Sequence, residues 1–286
     1  MTQPNLLVHP SKGTDGVLHK ITPESAGWTY VGFELRKLEA GACSAFDAGE
    51  EEVCFVVLSG KMRVTTEAGF DSGAIGERKN VFEGLAWSVY LPPHTKGAIE
   101  AVSDCEVALC AAPATGKLKP RVIPPAEVGT MTRGTGTNTR YIRNILSDAD
   151  NGAESLLVVE VITPGGNWSS YPPHKHDRDA LPDESYLEEV YYHRLSPPQG
   201  FAFQRIYTDD RSLDETLAVG DGDVVLVPRG YHPVGAPHGY DLYYLNVMAG
   251  PKRIWRFHND PAHEWMLKAG VSRPLPPLRG TSEASP

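Results

Sequence analysis

Apolar positions along this chain fall into short runs, rich in β-branched and aromatic residues and closed off by glycine, proline and small polar residues. The clearest runs are Glu52-Val-Cys-Phe-Val-Val-Leu58, Trp87-Ser-Val-Tyr-Leu91, Leu156-Leu-Val-Val-Glu-Val-Ile162, Val224-Val-Leu-Val227 and Leu242-Tyr-Tyr-Leu-Asn-Val-Met248. Runs of this length, separated by turn residues, predict strands of an all-β sandwich or barrel. Helical periodicity is weak. Only a short turn around 124–128 and the stretch 261–269 read as helical.

The pattern repeats. Glu51-Glu52-Val53 before its β-run resembles Glu188-Glu189-Val190, and Leu91-Pro92 resembles Val227-Pro228, at an offset of about 136 residues. Such a duplication predicts two similar β domains, 1–140 and 141–269, with 270–286 as a Pro/Ser-rich surface tail. Residues 130–150, which include Met131-Thr-Arg-Gly-Thr-Gly-Thr-Asn-Thr139, read as a linker or exposed loop.

Composition narrows the class. The 286 residues carry 41% hydrophobic positions, enough for two real cores. A formal net charge of −9 and the lack of any basic run speak against nucleic acid as a partner. The start, Met-Thr-Gln-Pro-Asn-Leu-Leu-Val-His-Pro, has neither a basic leader nor a long apolar stretch, so the expectation is a cytoplasmic protein without signal peptide or membrane span. Cys43, Cys54, Cys105 and Cys110 lack Cys-x-x-Cys spacing and read as reduced, buried thiols.

The second half carries the chemistry. His174 and His176 stand at i and i+2 in an extended segment, which puts both imidazoles on one side. With Glu189 and His232 they make four possible ligands for zinc, manganese or ferrous iron, with coordination positions left for water or substrate. The first half has no His-x-His, and the offset sets Lys96 opposite His232; its His94 reads as a structural or surface residue. The first half is then a scaffold or dimerisation domain, and its strand edges and faces suit a homo-oligomer.

Taken together, these motifs resemble a bicupin, two jelly-roll β-barrels with a metal in one. The cupin motifs are matched by Gly166, His174, His176 and Glu189, then by Gly222, Pro228, Gly230 and His232. A narrower resemblance is to the 5-deoxy-glucuronate isomerase family of inositol catabolism, related to 5-keto-4-deoxyuronate isomerases. It rests on Tyr171-Pro-Pro-His-Lys-His-Asp177, Glu188-Glu-Val-Tyr-Tyr-His193, Val227-Pro-Arg-Gly-Tyr-His-Pro233 and Tyr243-Tyr-Leu-Asn-Val-Met-Ala-Gly-Pro251. An insertion after His176 departs from the usual cupin spacing and makes Glu184 and Glu188 rivals of Glu189. Glu189 is preferred because it shares a strand face with Tyr191 and His193, and because the family places its ligand Glu directly before Val-Tyr. The insertion itself reads as a lid over the metal.

The resemblance implies a metal-dependent aldose–ketose isomerase, with zinc or manganese, that converts 5-deoxy-D-glucuronate, a small sugar acid, to 2-deoxy-5-keto-D-gluconate. Isomerisation needs a group to carry hydrogen from C2 to C1, and Tyr191, His193, Tyr243 and Tyr244 are the candidates. For the substrate carboxylate the candidates are Arg205, ranked first, with Lys175 and Arg229. Asp177 is placed to orient a ligand imidazole or to end a strand. A cupin dioxygenase acting on a small organic acid, or a metal-stabilised sugar-binding bicupin without turnover, are the competing readings.

Overall fold

The computed structural model describes residues 5–267 apart from 12, 14 and 15, so the tail reading of 270–286 lies outside the described residues. Four sheets stack into two barrels. In the first half a six-stranded sheet, which includes Glu51–Ser59, Cys105–Pro113 and Gly32–Leu38, closes against a four-stranded sheet that includes Cys43–Asp47 and Lys96–Ala101. In the second half a seven-stranded sheet, which includes Glu188–Ser196, Asp241–Ala249 and Leu157–Thr163, closes against a four-stranded sheet built around Ala202–Tyr207 and Asp214–Val219.

The two larger sheets pack back to back, which explains why their strands are continuous apolar runs. Along Glu51–Ser59, residues Val53, Phe55 and Val57 fill the first barrel, whereas Cys54, Val56 and Leu58 fill the layer between barrels. Along Glu188–Ser196, Tyr191 and Leu195 face the second barrel, and Val190 and Tyr192 face the shared layer. Both faces are buried, so alternation disappears from the sequence. The outer strand Ala202–Tyr207 has one wet face, and there Phe203 and Arg205 alternate with buried Ala202, Gln204 and Ile206. Each large side chain so buried contributes about 1.5–3 kcal/mol, and the shared layer joins the two barrels.

Two carboxylates tie the halves reciprocally. Fully buried Glu52 accepts hydrogen bonds from the backbone N–H groups of Glu154, Ser155 and Leu156 at 2.7–2.8 Å, and from the Tyr90 hydroxyl. Buried Glu188 accepts the backbone N–H groups of Thr29, Tyr30 and Val31 at 2.6–3.1 Å. Strand pairing sets Val53 opposite Leu91 and Glu189 opposite Val227, so Glu52 corresponds to Glu188 and Val53 to Glu189. The repeat therefore runs one residue out of step with the Glu-Glu-Val match made from sequence.

Three expectations are corrected. Residues 130–150 are no linker: Gly129–Arg133 and Arg140–Leu146 pair as a hairpin at one edge of the seven-stranded sheet, and the 140/141 boundary falls inside that hairpin. Leu7–Val8, from the far N-terminus, pairs with Val224 and Val225 at the opposite edge. Cys54, Cys105 and Cys110 are buried free thiols as expected, but Cys43 is exposed. Of the helical expectations, 3-10 turns form at Pro125–Glu127 and Glu264–Leu267. The single α-helix of the described residues, Pro23–Ala26, was not foreseen; it is held by a Thr22/Ser25 capping box.

Candidate metal centre and its cleft

The site lies inside the second barrel. His174 sits on the two-residue strand His174–Lys175, which pairs with His258–Asn259, and His176 follows with its ring on the same side. His232 comes from the turn that follows Val224–Val227, and Glu189 from the inward face of Glu188–Ser196. The turn depends on Gly230, whose φ of 91° and whose approach to the Tyr207 carbonyl exclude a Cβ. Asp177 fixes it by accepting the Gly230 N–H at 2.9 Å, so it positions His232 through the turn and not by a hydrogen bond to the ring.

All three imidazoles are buried, and one nitrogen from each lies within 4.8 Å of the others. The Glu189 carboxylate reaches to 3.1 Å from His176 Nε2 and 3.2 Å from His232 Nε2. The Leu187 carbonyl lies 3.0 Å from His176 Nδ1 and the Gly230 carbonyl 2.8 Å from His232 Nδ1. A carbonyl only accepts, so each Nδ1 donates, and the remaining lone pair sits on the Nε2 that faces the centre. Buried His232 Nε2 makes no hydrogen bond among the described residues. Lone pairs and a carboxylate turned toward one buried point fit a cation there, and the arrangement can hold a metal ion.

Electrostatics favour the neutral form in two of the three imidazoles. Burial, with His232 and His176 close by, holds His174 well below the usual imidazole range, and burial likewise lowers His232. Burial opposes protonation of His176 as well, but the Glu189 carboxylate raises it. Neutral imidazoles are the ligating form. The rival carboxylates point elsewhere: Glu188 is the backbone clasp, and Glu184 accepts the Asp177 N–H at 2.8 Å and lies 3.5 Å from Lys175 Nζ.

Tyr191, Tyr244 and His193 gather beside the imidazoles. The Tyr191 ring lies 5.8 Å from His232 and 4.9 Å from Tyr244, and its hydroxyl is 3.0 Å from Ser170 Oγ. Burial pushes the Tyr244 phenol up to about 12 and raises Tyr191 well above the ordinary phenol range, so both stay protonated. His193 stacks on Tyr191 at 5.8 Å, meets Gln204 Oε1 at 3.0 Å, and is pushed down by burial to about 4.

Four candidates fall outside this group. Tyr243 faces the layer between barrels, where its hydroxyl donates to Glu160, itself 2.6 Å from Arg78 of the first half; strand alternation separates it from Tyr244. Lys175 alternates away from His174 and His176 into a carboxylate nest of Asp177 at 2.8 Å, Asp209 at 3.4 Å and Glu184. Arg205 lies on the wet face of its strand, forked onto Asp214 and packed over Tyr207. Arg229 is exposed on a separate cleft with Asp177, Arg178 and Asp209. The inserted segment is a hairpin of Asp177–Ala180 and Glu184–Tyr186 that borders that separate cleft.

The cleft that reaches His174 has a volume of about 520 Å³ and opens between Arg133, Arg140, Tyr171, Phe257 and Asn259. Phe257 packs on His174 at 4.6 Å. Sequence reading passed over both arginines because they lie in the stretch taken for a linker. A signal was present: they flank a Gly/Thr-rich turn of hairpin length.

Comparison with known proteins places this geometry. Residues 6–266 match the KduI/IolB family. The chain is 54% identical over 263 residues to a 5-deoxy-glucuronate isomerase of Geobacillus kaustophilus, covering 92% of this chain and 95% of that one. It is 52% identical over 254 residues to the enzyme of that name from Bacillus subtilis, covering 88% and 93%. An IolB-like protein from Salmonella typhimurium superposes with a TM-score of 0.89 at 49% identity, over 92% of this chain and all of that one. A Bacillus subtilis oxalate decarboxylase mutant, at 15% identity and a TM-score of 0.62 over 91% and 80%, shares the bicupin fold alone.

Proposed function

The chain belongs to the KduI/IolB family, and from that premise we propose that its second barrel isomerises 5-deoxy-D-glucuronate to 2-deoxy-5-keto-D-gluconate with a divalent metal. It is an isomerase of the intramolecular oxidoreductase class, as its curated relatives are. The observation that carries the metal reading is the convergence of His174, His176 and His232 on one buried point, with the Glu189 carboxylate beside two of them. Zinc or manganese bound there would polarise the C1 carbonyl and the C2 hydroxyl of the open-chain aldose.

The balance of the reaction is simple: a C2–H bond breaks and a C1–H bond forms, while the hydroxyl proton passes from the C2 oxygen to the C1 oxygen. Tyr191 and Tyr244, protonated and adjacent, donate hydrogen bonds to those oxygens and pass protons between them, with Ser170 as the neighbouring hydroxyl. His193 positions Tyr191 from behind by ring stacking. The aromatic walls of the barrel exclude water from this path. In the described residues no helix is long and apolar enough to cross a membrane, and the reading is completed by a cytoplasmic homo-oligomer acting in carbohydrate metabolism.

The test is proton NMR of 5-deoxy-glucuronate with purified protein under nitrogen, with and without chelator. Chelator-sensitive formation of the keto acid supports the reading, and a strict need for oxygen would overturn it in favour of a dioxygenase. His232→Ala is expected to lose bound metal and turnover together; a metal-replete, fully active variant would refute the ligand set.

A further inference from the structure

Arg133 and Arg140 are direct cross-strand partners in the hairpin that borders the cleft. Like charges placed opposite one another on a sheet are destabilising. Neither arginine has a carboxylate within ion-pair distance among the described residues, whereas Arg63, Arg78, Arg178, Arg194, Arg205 and Arg253 each do. Each is nevertheless held in place. The Arg133 guanidinium lies over the Trp255 ring at 5.5 Å, and Arg140 Nη1 donates to the carbonyls of Asn138 at 3.0 Å and Tyr171 at 3.3 Å.

The turn between them is equally committed. Gly134 has a φ of 77°, and a Cβ there would strike the Asn138 carbonyl, so the backbone that brings the pair together tolerates no other residue. Both arginines line the same cleft as His174, in a chain of net charge −9. Two fixed, unneutralised cations in a cleft that reaches His174, one of the three buried imidazoles, form a receptor for an anion.

We propose that Arg133 and Arg140 clamp the carboxylate of the sugar-acid substrate and thereby hold its aldehyde end toward the imidazoles. The assignment rests on the isomerase reading above and specifies how that site selects an acid over a neutral sugar. A guanidinium pair suits a planar carboxylate, which can accept two parallel N–H bonds from each fork. It replaces Lys175, Arg205 and Arg229, whose side chains do not line this cleft.

The experiment compares 5-deoxy-glucuronate with its neutral analogue 5-deoxy-glucose as substrates of the metal-loaded enzyme, for wild type, R133Q, R140Q and the charge-retaining R133K and R140K. In parallel, calorimetry measures D-glucuronate binding to the metal-free proteins. Expected is a fall of about tenfold or more in the acid-over-neutral ratio of kcat/KM in each glutamine variant, carried mainly by KM, with partial recovery in the lysine variants. Glucuronate binding weakens in the same order and falls with added salt. An equal loss on both substrates, an unchanged ratio, or wild-type glucuronate binding that is absent or indifferent to these substitutions would overturn the clamp. Wild-type protein that binds glucuronate through the pair yet turns over neither sugar would leave the clamp standing and sink the isomerase reading instead.

Discussion

His193 shows how a single buried side chain makes the fold sensitive to acid. Its ring is fully buried, and burial lowers its proton affinity from the ordinary 6.5 to about 4. The unfolded chain therefore binds a proton that the folded chain refuses between those values. Stability is fully present above about pH 6.5 and is lost as pH falls toward 4, by on the order of 3 kcal/mol from this residue alone. Thermal unfolding of metal-free His193→Gln between pH 7.5 and 4.5 should show a shallower acid slope than wild type; parallel slopes would assign the sensitivity to other groups. At this scale the sequence was informative where the chemistry is local. His-x-His and the turn around Gly230 declare themselves through spacing, and strand alternation correctly joined Tyr191 and His193 to Glu189. It misled for Lys175 and Tyr243, which neighbour site residues in sequence and therefore point the opposite way in an extended chain.

Between elements, the contacts that matter most join distant segments, and no local pattern announces them. Glu52 and Glu188 each satisfy three backbone donors of the opposite half. Replacing either with Gln sets an amide NH2 against an N–H donor and is expected to lower stability by about 1–3 kcal/mol, measured by urea unfolding. A change below about 0.5 kcal/mol in both variants would show that the clasp is energetically idle. From sequence, Glu188 could only be weighed as a ligand, because its true partners, Thr29 to Val31, lie some 158 residues away. The hairpin of Arg133 and Arg140 was hidden for a different reason. Its first strand, Gly129–Arg133, is almost wholly exposed, so it carries polar residues and reads as loop.

For the whole molecule, the all-β class and the duplication were legible because fully buried strands are long apolar runs. The exchange of the N-terminus was not legible, since a two-residue strand has no period to detect. Leu6 is buried, and its carbonyl accepts the Leu226 N–H, while Leu7 and Val8 cover the edge formed by Val224 and Val225. Deleting residues 1–9 is therefore expected to lower the melting temperature by several degrees, at about 1.5–3 kcal/mol for the lost Leu6 burial. It should also promote self-association through the bared edge, visible by light scattering; an unshifted, monodisperse variant would count against this role. The reciprocal clasp has a historical consequence. Each glutamate recognises main-chain N–H groups, which every residue except proline supplies, so the join between the barrels survives drift in the side chains around it. The two copies can therefore differ in chemistry without coming apart: the first has the same clasp, with Val53 standing where the second has Glu189.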